Sequence, residues 1–295
     1  MRFQLTEDQR ALRAGAREVL ERHFGPEALR DAVARPGLDR GLWRALGKAG
    51  FFALRLPEAE GGVGLGLPEA VLVFEEAGRV LLPGPLVGTH LAAGTVPGAA
   101  EGESVVAVVD GGLVEWWDEA DVVIGEGGSG AVPMRSVDPL TPLHRVPDAD
   151  VRRAGPDPVA VLLTAAEQLG TATRACELAV EHARVREQFG RPIGAFQAVQ
   201  HLCADMLVRV EVARAAVYAA SVTADAADIA CARVLADEAA VQGARDCLQV
   251  LGGMGFTWEA DVHLLLKRAW VRTRRTGGAT ESEELLAREL LSGAG

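Results

Sequence analysis

Long apolar runs are missing from these 295 residues, as is a charged-then-apolar leader at the start, so nothing reads as a membrane span or an export signal. Positive charge is in deficit: Lys and Arg total 30 against 41 Asp and Glu, for a formal net charge of −11. That balance argues against nucleic acid and against an anionic membrane surface as main partners, although a local Arg cluster can still bind phosphates. Cysteine is scarce. Cys176, Cys203, Cys231 and Cys247 fall in helix-like sequence without C-x-x-C spacing. They point to small buried thiols in a reducing cytoplasm, not to disulfides or metal ligands. What is present is a 49% hydrophobic composition and enough length for two domains or one large core, the mark of a packed globular protein.

Thr6-Glu7-Asp8-Gln9 has the form of a capping box, and the helical period that follows runs through Leu20 and His23. A second helical stretch covers 42–49 and ends at Gly50. Between Pro57-Glu58 and the next helix, 68–80, lies Gly61-Gly62-Val63-Gly64-Leu65-Gly66. No strand precedes it, so it reads as a connector and not as a phosphate cradle. From residue 95 the character changes. Segments 105–109 and 121–124 are short β-type runs between Gly, Asp and Pro clusters, and 146–151 is a further candidate strand. Trp116 and Trp117, as neighbours on a strand, would face opposite ways and serve packing. Helical sequence returns at 159–184, 196–220 and 226–251. Thr257 then caps a segment to about Arg275, and Thr280-Glu281-Ser282-Glu283 boxes the start of a last helix, 281–291. Small residues on these helices predict an antiparallel four-helix bundle. The expected architecture is mainly α, with an N-terminal helical domain at 1–94, a reduced β middle region at 95–157 and a C-terminal bundle at 158–295.

Two motifs carry chemistry. The first is Val185-Arg186-Glu187-Gln188-Phe189-Gly190-Arg191-Pro192-Ile193-Gly194, followed by Phe196-Gln197. The always-charged guanidinium fork of Arg186 suits phosphate oxygens. The second is Gln249-Val250-Leu251-Gly252-Gly253-Met254-Gly255-Phe256. A helix ending at a glycine pair exposes backbone amides and lets a ligand approach, and Gln249 can bond a diphosphate oxygen or a ribose. A plain helix C-cap explains the same glycines, and both readings can hold together. These segments resemble the signatures of the acyl-CoA dehydrogenases, flavoenzymes that oxidise the Cα–Cβ bond of an acyl-CoA thioester. The resemblance includes the helical N-terminal part with its Pro-Glu and Gly-Gly-x-Gly loop. It implies FAD as cofactor, held largely by a neighbouring subunit. Arg186, Gln249, Gly252 and Gly253 would then lie at the adenosine diphosphate, Gln197 at the adenosine half and Phe189 beside it.

Two parts of that family's equipment are absent. The middle region is much shorter than the family's, with no counterpart of its Thr-Glu-rich flavin-facing segment. The Glu that removes the α-proton in most members falls on Gly277. In a smaller branch it falls near Ala160, where Val159 and Val161 cannot serve. Asp157 is the nearest acid, but it is short and precedes Pro158. Glu167, inside an apolar helix, is a minor candidate that could equally face a partner or solvent. Glu281 and Glu283 read as helix-start residues complementing the dipole. No catalytic residue and no metal ligand is assigned. The resemblance thus implies a cytoplasmic, non-catalytic subunit that completes the FAD site of a catalytic acyl-CoA dehydrogenase partner. The complex would be a heterotetramer with two copies of each chain, with the acyl-CoA, fatty or steroid, at the partner's site. A self-sufficient dehydrogenase with another base and a flavin-free scaffold stay open.

Overall fold

The structure, a computed structural model, describes residues 4–125, 130–147 and 156–292. Helix α1 (Glu7–His23) opens on the capping box: Thr6 Oγ1 accepts from Gln9 N at 3.1 Å, and Gln9 Oε1 accepts from Thr6 N at 3.0 Å. There follow α2 (Pro26–Ala34), α3 (Arg40–Lys48), α4 (Leu67–Arg79) and α5 (Leu86–Ala92). The glycine-rich loop turns the chain into α4, with Gly66 at its N-cap. A five-stranded sheet comes next, built from β1 (Val106–Asp110), β2 (Leu113–Glu115), β3 (Val122–Ile124), β4 (Val132–Met134) and β5 (Leu143–Arg145). Its order is β3-β1-β2-β5-β4, with β1 and β3 parallel and the other pairs antiparallel. The β1–β2 turn is Gly111-Gly112, both at positive φ, as a two-residue hairpin requires.

The C-terminal part is helical. Helices α6 (Pro158–Val185), α7 (Gln197–Thr223) and α8 (Ala226–Leu251) form an antiparallel body, and α9 (Val262–Arg272) and α10 (Ala279–Ser292) pack on α8. A small ladder, β6 (Glu187–Gln188) with β7 (Arg191–Pro192), joins α6 to α7. One hydrophobic core runs from Leu20 and Trp43 through α4 and α6 to Leu265. Helices α4 and α6 cross so closely that a Cβ at Gly78 would lie 2.0 Å from the Glu167 carbonyl oxygen, and one at Gly170 would lie 1.9 Å from that of Glu75. Around this crossing, Glu76 accepts from Arg13 and Arg17 of α1, while Glu75 accepts from Tyr218 Oη at 2.6 Å and pairs with Arg214 at 3.3 Å on α7.

The mainly α architecture with a small central sheet is the one expected; several local expectations fail. Helices α2 and α5 and strands β2, β4 and β5 were not foreseen. Trp116 and Trp117 are not on a strand: Trp116 is buried in left-handed backbone (φ 59), and Trp117 opens a 3-10 turn. Thr257 does not cap a helix; its hydroxyl donates to the Met254 carbonyl at 2.8 Å, and α9 starts later, at Val262. Nor does Thr280 box the last helix. That helix begins earlier, at Ala279, where the Ser282 hydroxyl donates to Gly277 O at 2.8 Å. Of the cysteines, Cys176 and Cys247 are buried, Cys203 is half-buried and Cys231 is exposed. In the candidate strand 146–151, Val146 is buried, and residues from 148 onward lie outside the described ones.

Buried ion pairs dock the sheet onto the bundle. Arg272 donates to both Glu115 oxygens, at 2.9 and 2.8 Å, and its Nε lies 3.3 Å from Glu167. Arg275 reaches Glu115 at 3.2 Å and the Asp110 carbonyl at 2.7 Å. Arg268 bonds Asp138 at 2.5 Å. Burial pushes the Glu115 carboxyl up, but Arg272 and Arg275 more than offset it and leave its pKa at about 2. Because Glu115 is held below its unfolded value of about 4.3, its stabilisation is complete above that pH and fades as pH falls toward about 2. Glu167 moves the other way: burial raises it against the pull of Arg272, so protonation favours the folded chain there. Glu115→Gln leaves two buried guanidinium groups short of a counter-charge. It should cost about 3–5 kcal/mol in urea unfolding at neutral pH and flatten the stability loss between about pH 4 and pH 2.

Candidate functional site

The residues singled out by motif gather at one end of the bundle. Arg186 leaves α6 in extended backbone; its carbonyl accepts from Ile193 N at 2.8 Å, which closes the small β6–β7 ladder. The turn of that ladder is Phe189-Gly190, both at positive φ (53 and 75). A phenylalanine in left-handed backbone is strained, and its ring is 91% exposed, edge-on to Phe196 at 6.0 Å. The Arg191 guanidinium sits 4.3 Å from the Phe196 ring centre. The Arg186 side chain is exposed and has no hydrogen bond or ion pair among the described residues; its charge and burial lower the pKa of His182. Gln197 is exposed at the first position of α7.

Because α6, α7 and α8 alternate in direction, the end of α8 returns to this same corner. Cross-helix pairs fix that register, Arg214 to Thr173 at 3.0 Å and Arg209 to Asp246. Gln249 is exposed in the last turn of α8. Gly252 then takes φ 61 and ψ −140, a conformation essentially reserved for glycine. A Cβ at Gly252 or Gly253 would meet nothing within 4 Å, so the backbone there is open to a close approach. An unpaired guanidinium, an exposed amide side chain and an open glycine turn form a donor set suited to an anionic diphosphate. Exposed Val185, Met254, Phe256 and Trp258 flank it, more bare apolar surface than one chain's end needs.

A second feature is a cleft of about 1120 Å³ between α5, β1, β3, the start of α6 and the α9–α10 connection. Gly277 lies in its wall with φ 61, where a Cβ would come 2.7 Å from Val161 Cγ2 and 2.8 Å from Pro156 Cγ. Asp157 caps α6, accepting from Val159 N at 2.7 Å. Glu167 faces neither solvent nor a partner; it is buried beside Arg272. Of the other acids in the wall, Glu115 and Asp110 are held by arginines, Glu284 pairs with Arg288 at 3.4 Å, and Glu281 lies exposed in the first turn of α10. Sequence reasoning missed Arg268, Arg272 and Arg275. Their spacing of four and three residues was the available signal: Arg268 and Arg272 share a buried face of α9, and Arg275 follows in the turn beyond it.

A family model described as acyl-CoA dehydrogenase, C-terminal domain, matches residues 161–291, and one described as acyl-CoA dehydrogenase, N-terminal domain, matches residues 6–102. Acyl-CoA dehydrogenase IpdE2 of Mycobacterium tuberculosis (strain ATCC 25618 / H37Rv) is 39% identical over 289 residues, covering 89% of this chain and 91% of its own length. Among solved structures, the ChsE4-ChsE5 complex from Mycobacterium tuberculosis superposes with a TM-score of 0.85 at 27% identity, covering 99% of both chains. The Tcur3481-Tcur3483 steroid ACAD does so with a TM-score of 0.83 at 26% identity, covering 98% of this chain and 99% of the other. Fold and matches define an oxidoreductase class acting on acyl-CoA: the chain belongs to the acyl-CoA dehydrogenase family. The family's cofactor is FAD, and the open donors at the bundle end fit its diphosphate.

The two glycine turns should respond differently to a methyl group. Gly277→Ala forces left-handed backbone and two close contacts and should cost about 1–3 kcal/mol in urea unfolding. Gly253→Ala meets open space and should stay within about 0.5 kcal/mol of the parent chain.

Proposed function

We propose that this chain is the non-catalytic subunit of a heteromeric, FAD-dependent acyl-CoA dehydrogenase and completes its partner's flavin site in trans. The observation that carries this is a contrast. The diphosphate-suited donors are intact and face outward, whereas the position for a proton-abstracting carboxylate is Gly277, walled in by Val161 and Pro156. In this reading Arg186, Gln249 and the Gly252-Gly253 turn hold the adenosine diphosphate, with Gln197 and Phe189 beside the adenosine half. Bound FAD supplies the hydride acceptor for α,β-desaturation. The α-proton leaves to a carboxylate of the partner, because the acids of this chain's cleft are capped, ion-paired or, like Glu281, exposed at a helix start. The active assembly is a heterotetramer with two copies of each chain. The likeness to a complex of two such chains, ChsE4-ChsE5, and to a steroid ACAD supports both a partner and a bulky, steroid-type acyl-CoA at the partner's site.

Arg186→Ala in the assembled complex removes a charge-assisted contact of about 1.5–3 kcal/mol and should weaken FAD retention by about 10–150-fold, read as flavin absorbance after desalting. Unchanged flavin content would refute the assignment. Expressed alone, the chain should be flavin-poor and inactive; a yellow, active homo-oligomer would support a self-sufficient enzyme instead.

A further inference from the structure

The cleft beside Gly277 is large enough to hold a ligand. At about 1120 Å³ it exceeds what drug-sized ligands need. One wall is apolar: Val87 and Leu91 of α5 face the cross-strand pair Val108 and Ile124, which are 37% and 40% exposed although Val106 and Ala107 beside them on β1 are buried. This pair extends the apolar wall of α5 across the cavity onto the sheet face.

The opposite wall is polar, and its charges are already spoken for. Arg272 and Arg275 are neutralised by Glu115 and Asp110, so they offer oriented N–H dipoles but no free positive charge. The described lining carries five carboxylates, Asp110, Glu115, Asp157, Glu281 and Glu284, against the guanidinium groups of Arg272, Arg275 and Arg288, a surplus of two negative charges among the described residues. In a chain of net charge −11, this lining repels polyanions. Among the described lining residues there is no Ser, Cys, His, Lys or Tyr; the hydroxyls are those of Thr95, Thr164 and Thr276, of which Thr164 donates to the Ala160 carbonyl, and the acids are occupied or at the rim.

We infer that this cleft is a non-catalytic binding chamber for a neutral, largely apolar molecule of fused-ring or long-chain size bearing an oxygen substituent, and that it rejects acyl-CoA thioesters. The apolar body lies against Val87, Leu91, Val108 and Ile124, and the neutral oxygen meets the Arg272–Arg275 wall. This site is separate from the flavin donors at the far end of the bundle and does not depend on where FAD is held.

The test uses Nile red, a neutral fused-ring carbonyl dye, titrated into the assembled complex. Its fluorescence should report one site per copy of this chain. Ala160→Trp fills the cleft from α6, and Ile124→Glu polarises the apolar wall at a half-exposed position that tolerates a polar side chain. Each should raise the Nile red Kd by at least tenfold while the melting curve and FAD content stay those of the parent. Excess octanoyl-CoA should leave the dye bound. Unaltered Nile red affinity in a folded Ile124→Glu complex, or displacement by octanoyl-CoA, would overturn the chamber. Loss of flavin from Arg186→Ala bears only on the trans site, so the two readings fail separately.

Discussion

Glu115 lies between Arg272 and Arg275, and the architecture hangs on that arrangement. The central sheet has short strands and only small apolar clusters of its own, so hydrophobic burial alone fastens it weakly to the helices. The ionic contacts do the docking: β2 supplies the carboxylate, and α9 and the residues after it supply the guanidinium groups. Arg233 of α8 adds bonds to the Arg272 and Arg275 carbonyls, so the connection leaving α9 is gripped from both sides. Buried pairs of this kind are poor net stabilisers against an apolar alternative, yet costly to break, which makes them fixers of geometry. What they fix is the turn that carries Gly277 and the polar wall of the cleft.

That rigidity separates the chain into two ends with different chemistry. At the bundle end, donors are exposed and Phe189 stands in left-handed backbone, the kind of pre-set geometry that a ligand or partner rewards. At the cleft end, Arg272 and Arg275 are committed to internal partners, and Gly277 has no room for a side chain. A single substitution there meets the wall of Val161 and Pro156.

Much of this was legible in the primary structure, for local reasons. The Thr6–Gln9 box, the long helices α6, α7 and α8, and the exposed motifs around Arg186 and Gly252 depend on capping, period and backbone freedom, which act within a few residues. Trp116-Trp117 and Thr257 were read as members of regular elements, but Trp116 bonds the distant Pro142 carbonyl and Thr257 closes a local 3-10 turn on Met254. Helix α5, with seven residues, has too few turns for a period to show, and α2, as long as the foreseen α3, lacks the side-chain cap that Asp39 gives α3.

By itself the sequence determined the helical ends, the small β middle and the family signatures, because each is a property of neighbouring residues. Only the tertiary structure decided that Asp157 is a helix cap and that Glu167 answers Arg272 in the interior. It likewise decided that Arg272, at the end of α9, and Arg275, just beyond it, are fastened to Glu115 on a strand about 160 residues earlier. Ion pairing across such separations follows from which faces are buried together, and a linear reading holds no record of that.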